Sequence, residues 1–177
     1  MTPDVEAEAV GDRILEAGAP YGLRPISIFG SRRIEAGLLN AGSDFDSTTT
    51  PFAVGLGQMI DFDKGDFLGR DALSKDDPRR RLWGMKVDGS VPRSGSLVRI
   101  DGQGAGSVCS SAWSPYLRCG VAFVLMDSAE HGPGTPVDAE CTDGDLHAGE
   151  LCETPMYDRE RNIPRGRLVD IPTPPCH

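Results

Sequence analysis

Many of the residues that could perform chemistry lie in one short stretch, residues 31–73. Glu35 stands in an Arg-x-Glu-Ala-Gly turn, and Lys64 and Arg70 flank a Gly-Asp-Phe-Leu-Gly run. A carboxylate and cations close together can hold a polar ligand, because hydrogen bonds between charged groups are short and strong. The same side chains can also be solvated, and a carboxylate can pair with a neighbouring arginine. The residue types alone leave both interpretations open.

Several aspartates of the same stretch could act as an acid or a base. The pair with the closest spacing stands in Gly-Ser-Asp-Phe-Asp, at residues 42–46. Alternate carboxylates in a turn rich in glycine and serine usually cap the turn by accepting hydrogen bonds from backbone N–H groups. We therefore expect capping roles for this pair, and no catalytic residue is assigned. The candidates are Asp44, Asp46, Asp61 and Asp63.

The cysteines and histidines do not have the spacing of a metal site. Five cysteines are scattered along the chain without a Cys-x-x-Cys pair, and the three histidines are far apart. An odd number of scattered cysteines is typical of a reducing cytoplasm. We expect idle thiols and no metal.

Charge and hydropathy exclude several classes of partner. The net charge of −9 argues against a nucleic acid and against an anionic membrane surface, because both need a basic face. No apolar run approaches the ~18 residues that cross a bilayer. The acidic N-terminus has the pattern of neither a secretory signal nor a transit peptide. We expect a cytoplasmic protein.

Helices are predicted in the first part of the chain. Asp4 can cap a helix over residues 5–17 that Gly18 would end. A second helix is predicted from Pro25 to just before Gly37, with Glu35 in its last turn. A carboxylate is unfavourable there because the helix C-terminus carries partial negative charge, so Glu35 needs a compensating donor.

Two more elements are predicted before a polar hinge. "FAVGLGQMIDF" (52–62) reads as a strand with interior glycines, which usually mark a bulge or a close approach. "GDFLGRDALSK" (65–75) reads as a short helix led by Asp66 or Gly69. The hinge, "SKDDPRRR" (74–81), contains a proline.

Short strands are predicted after Arg81. Runs of β-forming residues alternate with Asp-Gly pairs at residues 88–89, 101–102 and 143–144. This spacing is typical of a small antiparallel barrel or sandwich. The tail from Arg159 is rich in proline, and we expect it to be irregular.

The motifs together resemble the C-terminal half of the glycine-cleavage T-protein (aminomethyltransferase) superfamily, which includes tetrahydrofolate-dependent demethylases. The resemblance covers roughly residues 10–158. Val54 departs from the family pattern, which has a glutamate there. The matching segments, in the family's order, are "RIEAGL" (33–38), "TTPFAVGLG" (49–57), "DKGDFLGRDAL" (63–73), "VPRSGSLV" (91–98), "GSVCSSAWSPYLRCGVAFVLMD" (106–127), "PGTPV" (133–137) and "PMYD" (155–158).

The resemblance implies a fold and a ligand. The fold class would be α+β: part of a folate-binding α/β body at residues 1–76, a small antiparallel C-terminal β-barrel at 77–158, and an irregular tail at 159–177. The ligand would be tetrahydrofolate, with Glu35 on the pterin and Lys64 and Arg93 directed toward the ligand. Arg70 would either serve the same pocket or anchor its helix.

The resemblance also implies that part of the enzyme is absent, because the family's N-terminal half supplies the catalytic aspartate. Three hypotheses follow. The chain is one subunit of a split tetrahydrofolate-dependent methyl or aminomethyl transferase or demethylase, completed by a second polypeptide and acting on a small methylated substrate. Alternatively, it is a non-catalytic binding or assembly subunit of a larger enzyme complex. In the third hypothesis it forms a homodimer with new chemistry.

Overall fold

The computed structural model of the chain describes residues 4–25, 30–75 and 79–168. No helix in these ranges is long and apolar enough to cross a membrane. Two short 3-10 helices cover Ala19–Tyr21 and Gly57–Met59. The other elements are α1 (Asp4–Gly18), α2 (Gly30–Glu35), α3 (Arg70–Ser74), β1 (Arg81–Val87), β2 (Leu97–Ile100), β3 (Gln103–Ser114), β4 (Cys119–Met126), β5 (Pro136–Glu140) and β6 (Leu146–Cys152).

The six strands form a closed antiparallel barrel in the order β1-β4-β3-β2-β5-β6. This confirms the predicted fold class and its C-terminal barrel. The barrel closes through β1, where Met85 lies opposite Ala122 of β4 and Leu151 of β6. The Asp-Gly pair at 101–102 forms the β2–β3 turn with φ angles of 51° and 78°. Two positive φ angles in a two-residue turn match the twist of an antiparallel hairpin.

Strand β4 divides two hydrophobic cores. All eight of its residues are buried, because its two faces are both covered. Ala122, Val124 and Met126 point into the barrel and join its interior cluster. Val121 and Phe123 point the other way, into a second cluster with residues that precede the barrel. Those residues include Ile34 and Val54.

The predicted strand at 52–62 is wrong. Residues 51–55 form turns, and a 3-10 helix follows. Gly55 has a φ of 75°, a left-handed conformation that interrupts an extended strand. A Cβ on Gly57 would come within 2.5 Å of the Phe52 ring, so this glycine permits a close approach. The chain folds back here, and Leu56 N donates to Pro51 O at 2.8 Å.

The predicted first and third helices are confirmed, as α1 and as α3 after Gly69. Helix α2 is described from Gly30, and residues 26–29 of the predicted second helix lie outside the described residues. Helix α2 ends in the predicted glycine turn. Gly37 has a φ of 75°, and Leu38 N donates to Arg33 O at 2.8 Å, which is a Schellman arrangement.

The tail is irregular over 159–168, and residues 169–177 lie outside the described residues.

Candidate functional site

Glu35 occupies the last position of α2 and is 2% exposed. The hydroxyl of Ser114, at the end of β3, donates to Glu35 Oε1 at 2.5 Å. Arg32 Nη1 lies 3.6 Å from Glu35 Oε2, and that buried oxygen accepts no hydrogen bond within the described part of the chain. The helix end therefore carries a fixed carboxylate with one oxygen in need of a donor. The Ser114 hydroxyl is the compensating donor that this position was expected to need.

The backbone around Glu35 is fixed from a second direction. The carbonyl oxygen of Glu35 accepts hydrogen bonds from Met156 N at 2.7 Å and Tyr157 N at 3.3 Å. These bonds hold the segment after β6 against the C-terminus of α2 and satisfy one of the free carbonyl groups of the helix. Glu35 thus lies where α2, the β3 end and the chain after β6 meet.

A cavity of about 360 Å³ opens beside Glu35. It falls within the range of small-molecule sites in proteins. Most of its exposed wall is apolar and includes Ala36, Leu38 and Ile163; its charged residues are Arg32, Glu35, Asp158 and Arg161. A mainly apolar pocket with a few placed polar groups is the usual form of an organic ligand site.

Two tyrosines and an arginine form a stack at the edge of this cavity. The Tyr116 and Tyr157 ring centroids are 5.1 Å apart, and the guanidinium of Arg32 lies 3.9 Å from the Tyr116 ring centroid. Arg32 also donates to the Tyr116 hydroxyl. Burial, and then the nearby Tyr116, raises the pKa of Tyr157. The stack holds Arg32 beside Glu35, and Tyr157 stays protonated at neutral pH.

A partly buried network of Arg33, Asp44 and the Ser110 hydroxyl anchors α2 to the barrel. Arg33 Nη1 lies 2.6 Å from Asp44 Oδ2, and Arg33 Nη2 donates to Ser110 Oγ at 2.7 Å. Ser110 Oγ donates in turn to Asp44 Oδ1 at 2.5 Å. Asp44 Oδ2 also accepts from Asn40 N at 2.8 Å, which is the expected turn-capping role. Asp44 is therefore a structural residue whose oxygens are all occupied.

Asp46 caps the next turn. Its Oδ1 accepts hydrogen bonds from Thr48 N at 2.8 Å and from the Thr48 hydroxyl at 2.6 Å. These bonds to Thr48 lower the pKa of Asp46. Its capping role was predicted from the sequence.

Comparison with known proteins assigns the family. Residues 80–158 match the glycine cleavage T-protein C-terminal barrel domain, and residues 1–64 match the GCVT N-terminal domain. The chain belongs to the glycine-cleavage T-protein family.

The aminomethyltransferase of Streptomyces avermitilis is 36% identical over 166 residues, covering 88% of this chain and 45% of that protein. The trimethylamine-oxide aldolase of Ruegeria pomeroyi is 38% identical over 170 residues, covering 90% of this chain and 21% of that protein. The crystal structure of aminomethyltransferase T of the Bartonella henselae glycine cleavage system superimposes with a TM-score of 0.64 at 28% identity. That match covers 73% of this chain and 38% of the other. This T-protein family chain spans less than half the length of these relatives.

The other predicted site residues do not line the Glu35 cavity within the described residues. Lys64 is exposed, with its Nζ 4.5 Å from the Phe67 ring centroid. Arg70 Nη2 donates to Phe62 O at 3.4 Å, within its own loop. Arg93 pairs with Glu140 on the barrel at 2.9 Å. The neighbours of Glu35 are thus Ser114 and Arg32 and not these three cations. Ligand roles for Lys64, Arg70 and Arg93 stay predictions.

Sequence reasoning missed three members of the site: Ser114, Tyr116 and Tyr157. All three stand inside segments that resemble the family, "SPYL" and "PMYD". The sequence showed a serine and two tyrosines within family motifs. Nothing in those motifs indicated that these side chains would lie near Glu35. Arg32 was considered only as a possible ion-pair partner, and it does lie beside Glu35.

The four described cysteines are free. Burial raises the pKa of Cys109 and of Cys152 to about 11, and it raises the pKa of Cys119 and Cys141 as well. Thiols in this state are poor nucleophiles at neutral pH. Over residues 4–25, 30–75 and 79–168, no cluster of His, Cys, Asp and Glu could hold a metal ion.

Proposed function

We propose that this chain binds the pterin ring of tetrahydrofolate at Glu35 and forms part of a one-carbon transferase. The observation that carries the proposal is the buried carboxylate of Glu35, with one oxygen fixed by Ser114 and the other without a hydrogen-bond donor. Arg32 Nη1 lies 3.6 Å from that second oxygen, too far for a hydrogen bond, and a buried acceptor without a hydrogen bond is costly, so a ligand that donates to it gains binding energy. Family membership supports a folate as that ligand.

The residues present fit a pterin. The ring carries an amino group and a neighbouring ring N–H in one plane, which can donate to the two oxygens of one carboxylate. Glu35 Oε2 is available, and Oε1 keeps a lone pair after accepting the Ser114 hydrogen bond. The apolar lining of the cavity suits the faces of a flat ring.

The chain's own contribution would be binding and orientation. Tetrahydrofolate supplies the nitrogen that accepts the one-carbon unit. Holding it in one orientation is a large part of the rate enhancement in a transfer reaction. The other carboxylate of the cavity, Asp158, accepts from Asn162 N at 2.8 Å and Ile163 N at 2.9 Å, so it serves its own loop. A proton-transfer group would therefore come from outside the described part of this chain.

The names of the relatives support a proposal for the donor class. They are named as aminomethyltransferases and as a trimethylamine-oxide aldolase, and the carbon unit in both names is attached to nitrogen. We propose a small substrate with a methyl or aminomethyl carbon on nitrogen as the donor.

The partner is proposed to be a second polypeptide that carries the rest of the family's fold, or a second copy of this chain. Helix α1 supports a partner. In the described part of the chain, its only substantial contacts to another element are with the 3-10 turn that follows it. Val10 and Ile14, four residues apart on one face, are 50% and 57% exposed. An exposed apolar helix face of this kind is typical of an interaction surface.

The direct test is a calorimetric titration of the purified chain with tetrahydrofolate, repeated with Glu35→Gln. Loss of a charged hydrogen-bond acceptor should weaken binding by about 1.5–3 kcal/mol. Ser114→Ala should weaken binding less, because it frees Glu35 to rotate without removing the charge. Glu130→Gln, at an exposed loop carboxylate, is the matched control and should bind like the unchanged chain.

The same titration is repeated after co-expression with an aminomethyltransferase segment that lacks the region matched by this chain. Binding that appears only then, and that still depends on Glu35, supports a site shared with a partner. Absence of folate binding in both preparations would overturn the proposed function.

A further inference from the structure

A second cavity lies next to the Glu35 cavity. Its volume is about 450 Å³, and the two share Ala36, Pro155 and Arg161 in their walls. The second cavity lies between the turns at 54–58, the start of β1 and the segment after β6. The charged side chains in its wall are not used in the proposed recognition of a pterin by Glu35.

The wall of this second cavity is rich in arginine. It contains Arg81, Arg159 and Arg161, with Glu153 as its carboxylate. Glu153 is already paired with Arg159. In the described part of the chain, neither Arg81 nor Arg161 forms an ion pair. Two uncompensated guanidinium groups face one cavity in a protein whose net charge is −9.

Arg81 is held in place by its neighbours. Its Nη1 donates to Phe52 O at 3.3 Å, and its guanidinium lies 5.0 Å from the Trp83 ring. Trp83 is fixed in turn, because its Nε1 donates to His131 O at 2.8 Å. Arg81 Nε is buried and has no acceptor among the described residues. A guanidinium that is fixed by its neighbours is suited to bind a carboxylate, since its planar fork matches the two oxygens.

We propose that this second cavity binds the carboxylate group of a small organic anion through Arg81 and Arg161. Two candidate ligands contain such a carboxylate. One is the glutamyl tail of the folate whose ring lies at Glu35, and this source rests on the proposed function. The other is a separate small dicarboxylic acid. The shared wall between the two cavities favours the first, because a ligand that leaves the Glu35 cavity passes Arg161.

Trp83 provides the readout. In a Trp113→Phe background of the full chain, tryptophan fluorescence reports only on Trp83, within the cavity. Titration with γ-glutamyl-glutamate and with glutarate, both optically silent, should give a saturable change that 0.5 M NaCl weakens. Arg81→Gln and Arg161→Gln should each weaken binding about tenfold, the scale of one charged hydrogen bond.

The matched control is Arg99→Gln. Arg99 lies on β2, which is opposite β1 in the barrel order, and among the described residues its side chain bonds only its own turn, at Gly102 O. Arg99→Gln should leave both titrations unchanged.

Arg81 also supports the turn at Phe52, so Arg81→Gln can affect folding. Arg161 has no side-chain hydrogen bond in the described part of the chain, and Arg161→Gln keeps the test decisive.

The two sources are separated by calorimetry with 5-formyltetrahydrofolate and with a tetrahydropterin that lacks the tail. A preference for the folate that Arg161→Gln abolishes assigns the site to the tail. Equal binding of both, with glutarate binding still dependent on Arg161, assigns it to a separate acid. If no pterin binds while glutarate does, the proposed function fails and this inference stands. The inference is overturned if neither anion changes Trp83 fluorescence, or if both arginine substitutions leave the titrations unchanged.

Discussion

The barrel and the segment before it bury their side chains to different extents. The barrel has a closed interior cluster and a strand, β4, in which every residue is buried. In the described part of residues 4–75, five residues are buried, and two of them are the carboxylates Glu35 and Asp44. The positions of α1 with a described side chain are all exposed or half-buried. The barrel thus contains its own core, and the preceding segment depends on surfaces outside itself.

This difference explains where the candidate site lies. The preceding segment contacts the barrel at a seam where Ile34 packs near Phe123 and Arg33 reaches Ser110. Glu35 is placed at the same seam by Ser114. A rigid barrel can fix the end of α2 accurately, whereas the apolar face of α1 remains available for a partner. The predictions below separate these two roles.

The largest effect is expected at the barrel side of the seam. Phe123 is fully buried, and Phe123→Ala should lower the free energy of unfolding by about 3–5 kcal/mol, because it removes transfer energy and leaves a cavity. Urea denaturation followed by circular dichroism measures this. A loss below about 1 kcal/mol would mean that the seam repacks easily and that the contrast between the regions is weaker than described.

The reactivity of two cysteine thiols tests whether water reaches the seam. Cys109 and Cys152 pack against the second hydrophobic cluster, which contains Ile34 and Phe123 at the seam. Burial raises the pKa of both thiols to about 11. At pH 8 their thiolate fraction should be about a hundredfold below that of an ordinary thiol, so they should react correspondingly slowly with Ellman's reagent. The rate is measured in a Cys176→Ser background, because Cys176 lies outside the described residues. Fast labelling in native buffer would show that the seam opens to water.

The same pKa shifts predict a pH dependence with a definite sign. The unfolded chain releases these thiol protons near pH 9 and the folded chain near pH 11. Above pH 9 the folded state therefore binds more protons than the unfolded state, and stability should fall as pH rises toward 11. Unfolding midpoints at pH 8, 9 and 10, compared with those of a Cys109→Ala, Cys152→Ala variant, measure the effect. Parallel curves for the two proteins would contradict it.

A moderate effect is expected from the ion pair at the seam. Asp44→Asn removes the partner of Arg33, and breaking a fully buried pair costs about 3–5 kcal/mol. Arg33 is 27% exposed, so water compensates part of the loss, and we expect about 2 kcal/mol. Asp46→Asn, at the exposed cap of the next turn, is the comparison and should cost less. Equal losses for the two variants would show that Asp44 acts only as a cap.

The smallest effect on stability is expected in α1. Ile14→Ser should change the free energy of unfolding of the isolated chain by no more than about 0.5 kcal/mol, since Ile14 is 57% exposed. The same substitution should weaken association with the proposed partner, which sedimentation of the mixed or self-associated chain measures. A large loss of stability in the isolated monomer would indicate that α1 packs on this chain.

Local patterns were sufficient to predict short antiparallel strands in a barrel or a sandwich, and the family resemblance then indicated the barrel. Asp-Gly pairs separate β2 from β3 and β5 from β6, and the pair at 101–102 has the backbone angles that such a turn requires. The helix ended by Gly37 was predictable for the same reason, because a glycine with positive φ ends a helix. The predicted strand at 52–62 failed, since its β-forming composition gives no indication that Gly55 takes a left-handed conformation.

The candidate site was only partly predictable. Glu35 could be found from a family motif and from its unusual place at a helix end. Its donor, Ser114, is 79 positions away in sequence, and the two meet only because the barrel closes and β3 ends beside α2. That Lys64, Arg70 and Arg93 do not line the Glu35 cavity could not be read from their closeness to family motifs, because side-chain direction depends on the tertiary fold.

The closed strand order restricts how this chain can associate. Each of the six strands has two neighbours in the ring, so none of these strands is an edge strand along its whole length. Strand addition, the common route to domain swapping and to amyloid, finds no full-length edge strand there as a template. We therefore expect a partner to recognise mainly side chains, and we expect the barrel to resist templated aggregation even when α1 is left uncovered.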